Sequence, residues 1–215
     1  MDKLQHRAYK CEVRANDTDD GQSIISGRPI VYDAYTDMRW FQEVIDKGAL
    51  NETDLQDVRF LVNHDTSRIP LARSRINNGN STMQLTIDEQ GLFMTSKIDT
   101  ANNNEAKALR SAVDREDITG MSFMFTIEDE RWENLESDYP TRHIMKIGKV
   151  VEVSAVSFPA YDQTSIYSRD SQTALENARK TLENVRAKDL EKSKTATNNI
   201  LELEKAKFNF KSKEV

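Results

Sequence analysis

Between residues 9 and 156 the chain breaks into short runs of β-favouring residues separated by turn formers, and this most narrows the folds open to it. YKCEVRA (9–15) alternates, DDGQ (19–22) turns, and SIISGRPIVYD (23–33) is rich in β-formers. RFLV, STMQLTI, GLFMTSKID, SFMFTIE, RHIMKIG and KVVEVSAVSF continue the series. Two windows carry helical spacing instead. MRWFQEVIDKGAL (38–50) has Trp40, Val44 and Ile45 with Gly48 as a stop, and NNNEAKALRSAVDRED (102–117) opens on an asparagine cap and spaces Ala106, Leu109 and Val113 at helical intervals. The expected class is α+β, mainly antiparallel β with a few helices.

Beyond Pro159 the composition changes. Residues 171–207 contain no Gly and no Pro, and Leu175, Ala178, Leu182, Val185 and Leu190 recur one or two helical turns apart. This predicts a long amphipathic helix with a thin apolar seam, interrupted at TATNN (195–199). Such a helix suits a partner helix or a coiled coil, and equally a solvated, partly disordered tail. The chain therefore divides into a β-rich unit, 1–168, and a charged helical tail, 169–215. A hydrophobic fraction of 37% beside 31% charged residues fits a chain of which part is not core.

Charge and cysteine content remove several classes of function. The net charge of −6 comes from 30 basic and 36 acidic residues mixed along the sequence, without the basic stripe of a nucleic-acid groove. The single cysteine, Cys11, excludes an intramolecular disulfide and any multi-thiolate metal site, and fits a reducing compartment. Three scattered histidines, His6, His64 and His143, lack an HExxH-type pair, so a metal-dependent hydrolase is disfavoured and no metal or cofactor is expected. No segment is apolar for long enough to span a bilayer, and the N-terminus lacks a signal-peptide core. A soluble, intracellular protein without membrane or nucleic-acid partners is the expectation.

Three polar residues sit in or at the ends of apolar β-like runs. His64 follows FLVN; Ser122 lies in DITGMSFMFTIE, alternating with Met124 while Met121, Phe123 and Phe125 take the other face; Glu152 interrupts KVVEVSAVSF. Singly, each has an ordinary structural reading: a loop histidine, a serine bonded to a carbonyl, a carboxylate on an edge strand. Together they supply a hydroxyl, a base and a group that fixes the base's tautomer, which is what nucleophilic catalysis at neutral pH requires. Asp65, next to His64, reads as a turn former.

The blocks FLVNHDTSRIPLARS, GMSFMF and VVEVSAVSFPAYDQTSI, with FQEVIDKGALNETD and SGRPIVYD upstream, resemble in order and spacing the prohead proteases of tailed phages with HK97-type capsids. The resemblance covers about residues 9–168. It implies a closed or partly closed β-barrel, related to the herpesvirus assembly proteases, in residues 1–168. It also implies that His64 is the general base and Ser122 the nucleophile. In the herpesvirus enzymes a second histidine holds the third position; here the corresponding strand reads VEVSAVS and offers Glu152, with His143 as competitor in an apparent hairpin nine residues earlier. Many members have Ser-Phe-Gly-Phe where this chain has Ser122-Phe123-Met124-Phe125, which puts a larger side chain on the Ser122 face.

By that resemblance the protein is expected to be a serine endopeptidase of procapsid maturation, acting in the host cytoplasm inside the assembling procapsid. Its partners would be scaffold-like segments of the major capsid protein and the protease itself, as substrate of self-cleavage and as a homo-oligomer, in the first instance a dimer. The tail 169–215 would dock on capsid or scaffold and be open to self-removal. The alternative is an inactive scaffolding protein of the same fold, whose tail drives shell assembly.

Overall fold

The computed structural model describes residues 4–11, 13–18, 22–157 and 169–211. Nine strands come first: β1 (Gln5–Lys10), β2 (Arg14–Asp17), β3 (Ser23–Val31), β4 (Thr36–Asp37), β5 (Gln42–Ile45), β6 (Asp57–Val62), β7 (Ala72–Arg75), β8 (Met83–Asp88) and β9 (Gly91–Ile98). Helix α1 (Asn104–Asp114), two long strands, β10 (Gly120–Glu133) and β11 (Thr141–Val156), and helix α2 (Arg169–Lys211) complete the chain. The class is α+β, mostly strands.

One sheet runs β1-β10-β11-β5-β4, with β6 on β11 and β7 on β6; the other runs β2-β3-β9-β8. Most pairs are antiparallel, but β5 and β6 both pair with β11 in parallel. Thr141–Ile144 take β5, and Glu152–Ala155 take β6. A strand has two hydrogen-bonding edges, and β11 gives one to β10 and divides the other between two short partners. The sheet therefore branches instead of curling round to meet itself, and neither sheet closes. The barrel expected from the resemblance is corrected to two open sheets.

Alternation along β10 and β11 sends one row of side chains inward. Met121, Phe123 and Phe125 meet Val150, Val153 and Ala155, Val58 and Phe60 of β6, and Ile25, Ile30, Leu92 and Met94 of the four-stranded sheet in one buried cluster. Burying each large apolar side chain contributes about 1.5–3 kcal/mol. RHIMKIG and KVVEVSAV belong to one continuous strand rather than two. Gly148 lies in its middle, where a Cβ would fall 2.7 Å from Glu128 Cγ on the facing strand.

Helix α1 forms where its spacing predicts. Asn103 caps it, its side chain accepting from the Glu105 and Ala106 amides, and Ala106, Leu109 and Val113 face the core. The predicted helix over 38–50 is instead β5 and turns. Arg39 has a left-handed φ of 71° and Gly48 one of 92°, both incompatible with a continuous helix. The β-branched pair Val44-Ile45 gains a strand partner in β11. Helix α2 continues through TATNN without a break; Thr195 and Thr197 donate their hydroxyls to the carbonyls four residues back, which satisfies them within the helix. Its Ala178 and Leu182 are buried against Met38, Phe41, Trp40, Trp132 and Leu135, and Arg186 donates to the carbonyls of Leu135 and Ser137. Further along, Leu190 and Ile200 are exposed. Among the described residues no helix is long and apolar enough to cross a membrane.

Candidate active site

The inward row of β10 and β11 leaves a second row on the opposite face, and register aligns it. Ser122 lies opposite Ala8 of β1 on one side and Ser154 of β11 on the other; Met124 lies between His6 and Glu152 in the same way. Residues directly opposite in a sheet share a face. Ser122, Met124, His6, Glu152 and Ser154 are thereby gathered by main-chain pairing alone. Ser122 is only 1% exposed, Glu152 1% and Ser154 0%.

His64 reaches this face from the end of β6. Strand β6 stops at Val62, and Asn63 and His64 both turn left-handed, with φ of 51° and 59°. Two such residues in succession cost roughly 1–2 kcal/mol each for L-amino acids. The turn is held by several bonds to the end of β11. The Asn63 amide donates to the Ala155 carbonyl at 2.9 Å, the Ser157 amide to Asn63 Oδ1 at 3.0 Å, and the His64 amide to Ser154 Oγ at 3.1 Å. His64 Nδ1 then lies 2.5 Å from Glu152 Oε1, 88 positions away in sequence. The second carboxylate oxygen, Oε2, accepts from Ser154 Oγ at 2.6 Å.

Asp65 takes no part in this contact. Its Oδ1 accepts from the Ser67 amide at 3.0 Å and from the Ser67 hydroxyl, which hold its carboxyl below the usual range. His143, the competitor for the third position, sits at the far end of β11, nine residues or roughly 30 Å from Glu152 at strand rise. There its Nδ1 lies 2.8 Å from Asp46 Oδ1. The histidine that does approach His64 is His6, whose ring meets the His64 ring edge to face with centroids 4.7 Å apart. Sequence reasoning left His6 aside because β1 was read as beginning at Tyr9, whereas it starts at Gln5.

The Ser122 hydroxyl donates to the Arg7 carbonyl at 2.7 Å. Arg7 is anchored in turn: its guanidinium makes two bonds to Glu43, which is 1% exposed and also accepts from Arg142 Nη1 at 3.0 Å. Arg142 continues the network to Glu130. Burial alone would raise the Glu43 carboxyl, but the two guanidiniums outweigh it and hold it below its ordinary value. Arg7, Glu43 and Arg142 carry no local sequence signal, because they meet only once β1, β5 and β11 lie in one sheet.

As metal ligands, His6, His64 and Glu152 bring one donor atom each within 4.8 Å of one another. His64 Nδ1 and Glu152 Oε1 already engage each other at 2.5 Å, so the grouping is that of an imidazole held by a carboxylate. Burial pushes the Cys11 thiol up, which leaves it a poor nucleophile at neutral pH. The arrangement thus supplies an imidazole in a fixed orientation, a carboxylate behind it and a serine hydroxyl in the adjacent row of the same sheet face.

A family model described as caudovirus prohead serine protease matches residues 9–180. In structure the chain is similar to the bacteriophage T4 capsid assembly protease, gp21, over 73% of this chain and 98% of that one, at 12% sequence identity and a TM-score of 0.44. No curated protein matches the chain in sequence.

Proposed function

The chain belongs to the caudovirus prohead serine protease family, and from that premise we propose that it is an active endopeptidase of capsid maturation with Ser122 as nucleophile, His64 as general base and Glu152 as the residue that orients the base. The observation that carries this reading is the contact of His64 Nδ1 with Glu152 Oε1 at 2.5 Å. A carboxylate there fixes the tautomer with the proton on Nδ1 and leaves the Nε2 lone pair available. It also stabilises the imidazolium that forms when Nε2 takes a proton.

The reaction begins with the Ser122 hydroxyl exchanging its bond to the Arg7 carbonyl for one to His64 Nε2. Ser122 Oγ attacks the peptide carbonyl as its proton passes to Nε2. The imidazolium then gives that proton to the departing amine, and water hydrolyses the acyl-enzyme by the same route in reverse. Met124, beside Ser122 on this face, would restrict the substrate side chains that fit. The natural substrates on this reading are scaffold-like segments of the major capsid protein and the protease itself, met inside the assembling procapsid. Helix α2, docked by Ala178 and Leu182 and exposed beyond them, supports a tail that reaches a capsid or scaffold partner.

One observation favours the inactive-scaffold reading: Ser122 is nearly inaccessible and its hydroxyl is engaged by a carbonyl. Co-expression with the major capsid protein, followed by mass spectrometry, separates the two. The protease reading expects shortened capsid protein with the wild type and full-length protein with Ser122→Ala, while shells still assemble. Identical masses in both would leave only the scaffold.

A further inference from the structure

Ser154 has no role in the proposed chemistry, yet it is fully buried on the same face as the base, the carboxylate and the nucleophile. Its hydroxyl does two things. It donates to Glu152 Oε2 at 2.6 Å, and its oxygen accepts the His64 main-chain N–H at 3.1 Å. With the His64 Nδ1 to Glu152 Oε1 contact, these bonds close a ring: His64 N–H donates to Ser154 Oγ, Ser154 O–H to Glu152 Oε2, and His64 Nδ1–H to Glu152 Oε1. Both arms of the ring start from donors on His64 and end on the Glu152 carboxylate, so the two ends of one histidine are tied to one carboxylate.

We infer that Ser154 is a positioning residue that locks the backbone of the base to the carboxylate that orients its ring. The need follows from the turn itself. At φ of 59°, His64 lies outside the strand ladder, and the bond to Ser154 is what fixes its amide against β11. A carboxylate held only by the imidazole is free to rotate about its last torsion. One held at both oxygens is not, and the imidazole plane is set with it. Ser154→Ala removes both bonds at once, and leaves a buried carboxylate oxygen and the turn amide without these partners. The inference rests on the proposed roles of His64 and Glu152.

The test uses two readouts on the full chain. The first is the second-order rate of Ser122 phosphonylation by a fluorophosphonate probe, measured by mass. The second is the far-downfield proton resonance of His64 Nδ1–H, assigned by its loss in His64→Ala, which needs no catalysis. Ser154→Ala is expected to slow labelling roughly ten- to hundredfold, the range for a lost hydrogen bond to a charged group, and to shift or abolish the downfield line. Ser154→Cys, nearly isosteric with a weaker donor, is expected to fall between it and wild type and covers the case in which the alanine variant does not fold. In a Glu152→Gln background, Ser154→Ala is expected to cost less than about twofold, because its effect passes through Glu152. Labelling within twofold of wild type together with an unmoved downfield line, or full additivity with Glu152→Gln, would overturn the assignment. If wild-type Ser122 does not label at all, the protease reading fails, and the NMR line still decides the role of Ser154.

Discussion

Glu43→Gln removes the single negative charge on which two buried guanidiniums converge. Glu43 accepts from Arg7 Nε, from Arg7 Nη2 at 2.7 Å and from Arg142 Nη1 at 3.0 Å, with Arg7 and Arg142 4% and 2% exposed. Glutamine keeps the shape but offers one acceptor oxygen and turns an amide NH2 toward a cation. Breaking a buried pair from one side costs about 3–5 kcal/mol. The lower end applies here, since Arg7 keeps the His6 carbonyl and the Gln5 side chain as acceptors, and Arg142 keeps Glu130. At roughly 2–4 °C per kcal/mol for a chain of this size, Tm should fall by about 6–12 °C in differential scanning calorimetry. The pH dependence has a definite sign. Because the folded carboxyl titrates below its ordinary 4.5, its contribution is complete above that value and is lost as pH falls through the depressed folded pKa. The gap in Tm between wild type and Glu43→Gln should be constant near neutrality and narrow at acid pH. A drop of less than about 2 °C, or a gap that widens on acidification, would refute the reasoning.

Three other outcomes follow from the same geometry. Glu152→Gln should lower the Ser122 labelling rate by roughly 10²–10⁴-fold through the wrong imidazole tautomer, with the folded circular dichroism spectrum retained. Asn103→Ala should destabilise by about 1 kcal/mol, read from urea midpoints, because the amides of Glu105 and Ala106 lose their cap. Leu182→Asp should undock α2 and expose it to limited proteolysis near residue 182, whereas truncation after Lys188 should leave Tm within about 1 °C, since the distal helix carries exposed residues such as Leu190 and Ile200.

What the sequence made legible were features of short range and strict period. Alternation through SFMFTIE placed Ser122 and Met124 opposite the core, and the spacing of Ala106, Leu109 and Val113 with an asparagine before them located α1. Long-range pairing was not legible. The window 38–50 satisfies helical spacing as well as a four-residue strand does, and only its parallel partner in β11 decides between them. The division of one edge of β11 between β5 and β6, which keeps the sheet open, is likewise invisible until both partners are in place. At the site, Glu152 could be singled out because a carboxylate in an apolar run is costly. Ser154 could not, since a serine in a strand is cheap, although its i+2 spacing from Glu152 is the signal that puts both on one face. His6 lies before Tyr9, where clear alternation begins, although β1 starts at Gln5, and Arg7, Glu43 and Arg142 are brought together only by the long-range pairing of the sheet.

The central claim is that Ser122 is a nucleophile activated by His64. Incubation with a fluorophosphonate probe, followed by peptide mapping, measures this at the residue level without knowledge of the natural substrate. The account predicts one adduct, on the peptide carrying Ser122, absent in Ser122→Ala and slowed at least about a thousandfold in His64→Ala. No adduct on the folded wild-type protein, or an adduct whose rate is indifferent to His64, would contradict it.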